Sequence, residues 1–246
     1  MNPEIIETIV NRLSSIPLYT ALVVAIFILT KWLKIEKLDV KFIDSKKSVF
    51  YMFTALFYST IATILFVRWI SEKEFYLTWP TIGFITLENI IVFILPVLLI
   101  LRLEGSSLES AGISRKNLKN SLLLTGPLLL LSALILDFRP NAILTGYASM
   151  SLIKALVIAA GEETYFRGFL QLKCQALFGD FKGAALSTLL FSLYHLPIIS
   201  LYEGTIPFML VMNLLTTLIF GSFQAILMHK TQNTASPILF HGFMNW

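Results

Sequence analysis

The chain has 246 residues, of which 56% are hydrophobic and 14% charged, with a mean hydropathy of +0.77. A soluble domain carries about a quarter charged residues, so this composition excludes a water-soluble globule and predicts an integral membrane protein. The net charge of +4 calls for no nucleic-acid partner, because Lys and Arg gather in the connections between apolar segments, and the single Cys, Cys174, excludes an internal disulfide framework.

At about 20 apolar residues per crossing, eight spans are predicted, near 14–33, 49–70, 81–102, 120–137, 148–172, 183–201, 206–228 and 235–246. The predicted fold is all-α: one integral membrane domain over 1–246, a polytopic transmembrane bundle of about eight helices. Met1 to Arg12 is polar and mixed in charge, without a cleavable signal, so the first span reads as a retained anchor. The eighth is either a short half-span or a span in which the sequence stops.

Loop one, Lys31 to Lys47, holds six Lys against three acids. Loop three has Arg102, Arg115, Lys116 and Lys119, loop five Lys173 and Lys182, and loop seven Lys230. Loop two offers Arg68 and Lys73, loop four Arg139 with Lys154 beyond it, and loop six none. By the positive-inside rule the odd loops are cytoplasmic and both termini lie outside; in a prokaryote the membrane would be the plasma membrane. Trp32, Trp69 and Trp79 fall near span ends, as interfacial aromatics do. Leu38, Val40, Phe42 and Ile43 alternate with charges in loop one, which fits an amphipathic segment on the membrane surface or a solvated basic loop.

Span five differs from the rest. It contains Gly161-Glu162-Glu163-Thr164-Tyr165-Phe166-Arg167-Gly168, and each ionisable side chain at mid-bilayer depth costs roughly 2.5–3.5 kcal/mol, so such residues tend to be functional. Glu163 and Arg167 are four apart and can pair on one helix face. Glu162, about 100° round the helix, is left to face something else. Span six contains His195, with Phe191 one turn earlier as packing and Pro197 able to bend the helix. Span eight contains His241 and Asn245, again four apart. Taken singly, His195 is equally a hydrogen-bonding group between helices, and the His241/Asn245 pair equally a packing contact. Together the groups converge on one level in three helices. Glu88 and Asn89 could line the same cavity, Asn213 and Gln224 read as interhelical hydrogen bonds, His229 as interfacial, and Cys174 as inert.

A Glu assisted by an imidazole can take a proton from water and make it a nucleophile. A second His and an Asn amide can stabilise the oxyanion formed when that water attacks an amide. No HExxH, Gly-x-Ser-x-Gly or Gly-x-Gly-Asp motif is present. The set Glu162-Glu163-x-x-x-Arg167, Phe191-x-x-x-His195 and His241-x-x-x-Asn245 resembles the three motifs of the CPBP intramembrane protease family. That family takes in CAAX prenyl endopeptidases of the Ras-converting type (Abi proteins) and bacteriocin-processing or self-immunity proteins. The resemblance covers about the last hundred residues, within a motif-bearing core of 148–246. It implies that Glu162 and His195 activate water, that His241 and Asn245 form the oxyanion hole, and that the cavity opens toward the cytoplasm. It implies membrane lipid as surroundings and a membrane-associated protein or peptide substrate, CAAX-type and lipidated or otherwise. No cofactor is required on this reading. A divalent metal such as zinc, once assigned to the family, is disfavoured by an Asn in place of a fourth strong ligand. The alternative is a non-enzymatic transporter, or an immunity or scaffold protein that keeps the polar pocket.

Overall fold

A computed structural model describes residues 3–38, 40, 45–71, 77–135, 146–203 and 207–246. Among them there is no strand, and the helices run end to end as eight rods. The first two are α1 (Pro3–Thr30) and α2 (Ser45–Ser71). The third joins α3 (Trp79–Asn89) through a π-helical turn (Ile90–Ile94) to α4 (Leu95–Leu103). A short 3₁₀ turn, Leu108–Ala111, leads to α5 (Leu118–Ile135). The fifth rod is α6 (Gly146–Glu163), a π-helix (Thr164–Gln171) and α7 (Leu172–Phe178). Then come α8 (Asp180–Glu203), α9 (Pro207–Thr231) and the ten-residue α10 (Ala235–Met244).

Five rods are long and apolar enough to cross a membrane. Of the other three, α1 contributes the shorter apolar stretch Ile16–Thr30, the fifth rod carries Glu162, Glu163 and Arg167 at its centre, and α10 has only ten residues. The outer surface is hydrocarbon, with Phe57, Leu65, Leu130 and Leu134 exposed. A bundle in water would bury these side chains, and a bilayer removes the need. The chain is an integral membrane protein. Trp32 and Trp79 are exposed at the helix ends where the sequence places them.

Loops one, three, five and seven interlock at one end of the bundle. Asn117 donates from Nδ2 to the Glu36 carbonyl at 2.7 Å, and its Oδ1 accepts from the Glu36 backbone N–H at 3.1 Å. The Leu38 N–H donates to Gln232 Oε1 at 3.1 Å. Asn233 Nδ2 donates to the Ser114 carbonyl at 2.6 Å. Lys37 pairs with Asp180 at 3.1 Å. Leu38 is buried with Leu172 and Met228, and Val40 packs on that cluster. This part of loop one therefore docks on protein, and is neither a membrane-surface segment nor a solvated loop; Phe42 and Ile43 lie outside the described residues, as do Lys73 and Arg139. Lys173, read from the sequence as a loop cation, lies inside α7. It is fully buried and paired with Glu104, which also accepts from Ser48. Hydropathy places a span end before the first charge, and a buried pair defeats that rule.

The fifth rod is crossed at Gly168. A Cβ there would overlap the Ala111 carbonyl oxygen and lie 2.7 Å from Thr234 Cγ2. The 3₁₀ turn and the start of α10 thus enter the bundle well short of the rod's end at Phe178. From there α10 runs antiparallel along α6: Gly242 lies against Leu156, and Trp246 Nε1 donates to the Ala148 carbonyl at 2.8 Å. Span eight is seen as the ten-residue α10. Its recessed start puts His241 at the depth of Glu163. Gly168→Ala is expected to cost about 1–3 kcal/mol, because the obstructing atom is backbone and cannot turn aside. A lowered Tm of the detergent-solubilised protein would show it, and an unchanged Tm would refute the close approach.

Candidate active site

Each site residue comes from a helix whose local sequence holds it at mid-depth. α6 is regular up to Glu163, and the next eight residues form a π-helix in which every side chain is buried. A π-turn inserts extra backbone into an α-helix and recurs at functional sites. Here it is held from outside: Ser187 Oγ donates to the Phe166 carbonyl at 2.9 Å, and Gln171 Nε2 to the Ala225 carbonyl at 2.9 Å. Gly161 precedes the acidic pair because Asn89 of α3 packs onto its Cα; a Cβ there would overlap Asn89 Oδ1.

Glu163 is fully buried and serves two partners. Its Oε1 lies 2.6 Å from His241 Nδ1, and its Oε2 lies 3.5 Å from Arg167 Nε. An ionised carboxylate only accepts, so His241 carries hydrogen on Nδ1 and turns Nε2 toward Glu162, at 3.9 Å from Oε2. The Arg167 guanidinium, also fully buried, lies 4.4 Å from the centre of the Phe191 ring. Gly221 leaves the space for it, since a Cβ there would come 3.3 Å from Nη2 and 3.1 Å from Phe191 Cδ1. Phe191, assigned to packing by the sequence, is the cation–π floor of this arginine. One turn on, its carbonyl accepts from His195 Nδ1 at 2.8 Å, and the two rings are 4.4 Å apart. A carbonyl cannot donate, so His195 carries its hydrogen on Nδ1 and its Nε2 is a lone-pair acceptor.

Glu162 and His195 both line one cavity of about 380 Å³, whose wall also includes Glu88, Asn89, Lys154 and Tyr194. Six of the seven residues singled out from sequence (Glu162, Glu163, Arg167, Phe191, His195 and His241) are thus in one connected cluster. Asn245 is not in it. It caps α10 with φ −96° and ψ −1°, its N–H bonds the His241 carbonyl at 3.0 Å, and its side chain is exposed, outside the cavity wall. Four-residue spacing implies a shared face only within a helix, and α10 ends at Met244.

The Glu163–His241 bond was not legible in the sequence, which paired Glu163 with Arg167 alone. Glu88 and Asn89 do reach the cavity. The Asn89 amide donates to Glu88 Oε2 and to the Ile85 carbonyl, both at 2.9 Å, while its buried Oδ1 has no partner. Gln224 makes the expected interhelical bond, to the Pro237 carbonyl at 3.3 Å. Both imidazoles hold Nδ1 on protein oxygens, which leaves each Nε2 available, and among the described residues no group of three His, Cys, Asp or Glu side chains placed to hold a metal ion is found.

The cavity runs from Glu162 and His195 toward Val67 near the end of α2, Leu77 and Thr81 at the start of α3, Lys154 early in α6 and Ile198 late in α8. All of these adjoin loops two, four and six. The cavity wall thus reaches toward the end of the bundle opposite the odd loops, and Glu162 lies at the middle of a rod that extends from Gly146 to Phe178.

Residues 144–246 match a family model described as type II CAAX prenyl endopeptidase Rce1-like. Neither a search of curated proteins nor one of solved structures finds a match. The matched segment covers α6 to α10 and with them all three motifs, whereas α3, which supplies Glu88 and Asn89, lies outside it. Over residues 144–246, less than half of its length, the chain is thus similar to the Rce1-like type II CAAX prenyl endopeptidases.

Proposed function

We propose that the chain is a glutamate-type intramembrane endopeptidase acting on a membrane-associated polypeptide. The observation that supports this most is the convergence of Glu162 and His195 on one cavity wall with His241 Nε2 3.9 Å from Glu162. Glu162 takes one proton from a cavity water while His195 Nε2 accepts its second hydrogen as a hydrogen bond. The water oxygen attacks the scissile carbonyl, and the charge moves to the carbonyl oxygen. His241, protonated and backed by the Glu163 carboxylate, donates to that oxyanion. The proton on Glu162 then passes to the leaving amine as the C–N bond breaks, which restores the carboxylate. Asn245 is a second oxyanion donor that must swing in from the end of α10. Asn245→Ala is accordingly expected to slow cleavage less than His241→Ala, and the reverse order in single-turnover cleavage would count against His241 as the main donor.

The family description supports a CAAX-type terminus as one substrate class, with the lipid chain held in the surrounding bilayer. The test is a comparison of peptide termini in cells expressing the chain and cells expressing Glu162→Gln at equal abundance. Termini found only with the unaltered chain support proteolysis and identify the client. Identical termini would remove the proteolytic reading.

A further inference from the structure

Lys154 has no part in the proposed hydrolysis, yet it lines the same cavity as Glu162. It is half-buried, and it is the one Lys or Arg among the described residues of the cavity wall. Among the described residues it has no ion-pair or hydrogen-bond partner. Ionisable side chains within spans pair with one another or face a substrate path, and Lys154 faces the path. Lys154, Ile158 and Glu162 recur at four-residue intervals on one face of α6, and all three line the cavity. Eight residues at about 1.5 Å each put Lys154 about 12 Å from Glu162 along the helix. The two carboxyl groups of the wall, Glu88 and Glu162, are close enough to act on each other electrostatically. The cavity therefore has an acidic region at the site and a single cation about two turns away.

We propose that Lys154 binds the free α-carboxylate at the substrate's C-terminus, and that the fragment released by cleavage lies along α6 from Glu162 to Lys154. This rests on the proteolytic reading for the scissile bond, and on the charge and placement of Lys154 for the carboxylate site. A carboxylate entering the cavity is repelled by the acids and drawn to the lysine, so charge alone sets the direction in which a C-terminus lies. Length agrees with it. In a CAAX-type terminus three residues follow the lipidated Cys. A cut directly after that Cys leaves three residues between the scissile bond and the carboxylate, and in extended form they span about 10–11 Å. The carboxylate then falls at the level of Lys154, with the middle of the fragment against Ile158.

The probe is a fluorescein-labelled peptide ending in S-farnesyl-Cys-Val-Ile-Met, made as the free acid and as the C-terminal amide. Binding to the full chain carrying Glu162→Gln, in nanodiscs, is read by fluorescence anisotropy and needs no turnover. The acid is expected to bind about 10-fold more tightly than the amide, the low end for a charge-assisted hydrogen bond. Lys154→Met should bring the ratio to about one, and Lys154→Arg should keep it. The acid-to-amide ratio is taken within each protein, so a smaller folded fraction does not alter it. Equal binding of the two forms, binding of neither, or a preference that survives Lys154→Met would overturn the proposal. With the unaltered chain, the same preference is expected in kcat/KM and is carried by KM. Acid preference in binding without any cleavage would uphold the carboxylate site and sink proteolysis. Cleavage of acid and amide alike would sink the carboxylate site and leave proteolysis standing.

Discussion

Glu162→Gln is expected to slow peptide cleavage by roughly 10²–10⁴-fold, the usual contribution of one general acid–base group, with little change in Tm. Two features separate activity from stability here. Glu162 faces the cavity and is half-buried, and His241 Nε2 lies 3.9 Å from its Oε2, beyond hydrogen-bonding distance. Gln keeps the shape and removes the base. His195→Gln should act in the same direction by a smaller factor, since His195 orients the water and does not hold its proton. Purified protein in detergent or nanodiscs, single-turnover cleavage and a melting curve on the same sample decide the matter. A Glu162→Gln protein that cleaves at the unaltered rate would remove Glu162 from the mechanism. One that is inactive but also melts early would show that Glu162 holds the fold and leave its chemistry undemonstrated.

Most of the bundle was legible because hydropathy over a span is a sum of many residues, and a few polar ones do not erase it. The motif residues were legible for the converse reason, since Glu162, Glu163, Arg167, His195 and His241 are costly where they stand. What could not be read were properties of pairs. Lys173 counts as a loop cation until Glu104 is found against it, and Glu163 looks committed to Arg167 until His241 is found at its other oxygen. The midpoint of the fifth rod moves because the rod runs on through the buried Lys173 to Phe178, and nothing in TYFRGFLQ announces the π-helix on the way. Four-residue spacing puts Asn245 on the face of His241 only where the helix continues, and α10 ends at Met244. Small residues carried signal that went unread: Gly161, Gly168 and Gly221 each mark a close approach of another helix or side chain to the motif region.

Glu163→Ala is expected to remove stability and activity together, and the way to separate them is to remove Arg167 as well. The Glu163–Arg167 pair is fully buried, and none of the three Arg167 nitrogens has a hydrogen-bond partner. The guanidinium is balanced by one carboxylate at 3.5 Å and by the face of Phe191. Deleting the carboxylate leaves a buried cation with the ring and the more distant Glu162, and breaking such a pair costs about 3–5 kcal/mol. Replacing both members by apolar side chains of similar volume is often neutral, because neither charge then needs desolvating. The double variant Glu163→Leu/Arg167→Met is therefore expected to recover most of the melting temperature lost by Glu163→Ala. It should not recover cleavage, because His241 has still lost the carboxylate that fixes its tautomer and ring orientation, and an unfixed imidazole at Nε2 is a poor oxyanion donor. Recovery of both would mean that Glu163 serves only to neutralise Arg167, with the 2.6 Å bond to His241 incidental. Recovery of neither would mean that the ion pair sets the π-helical path of the motif, so that its loss misplaces Glu162 as well.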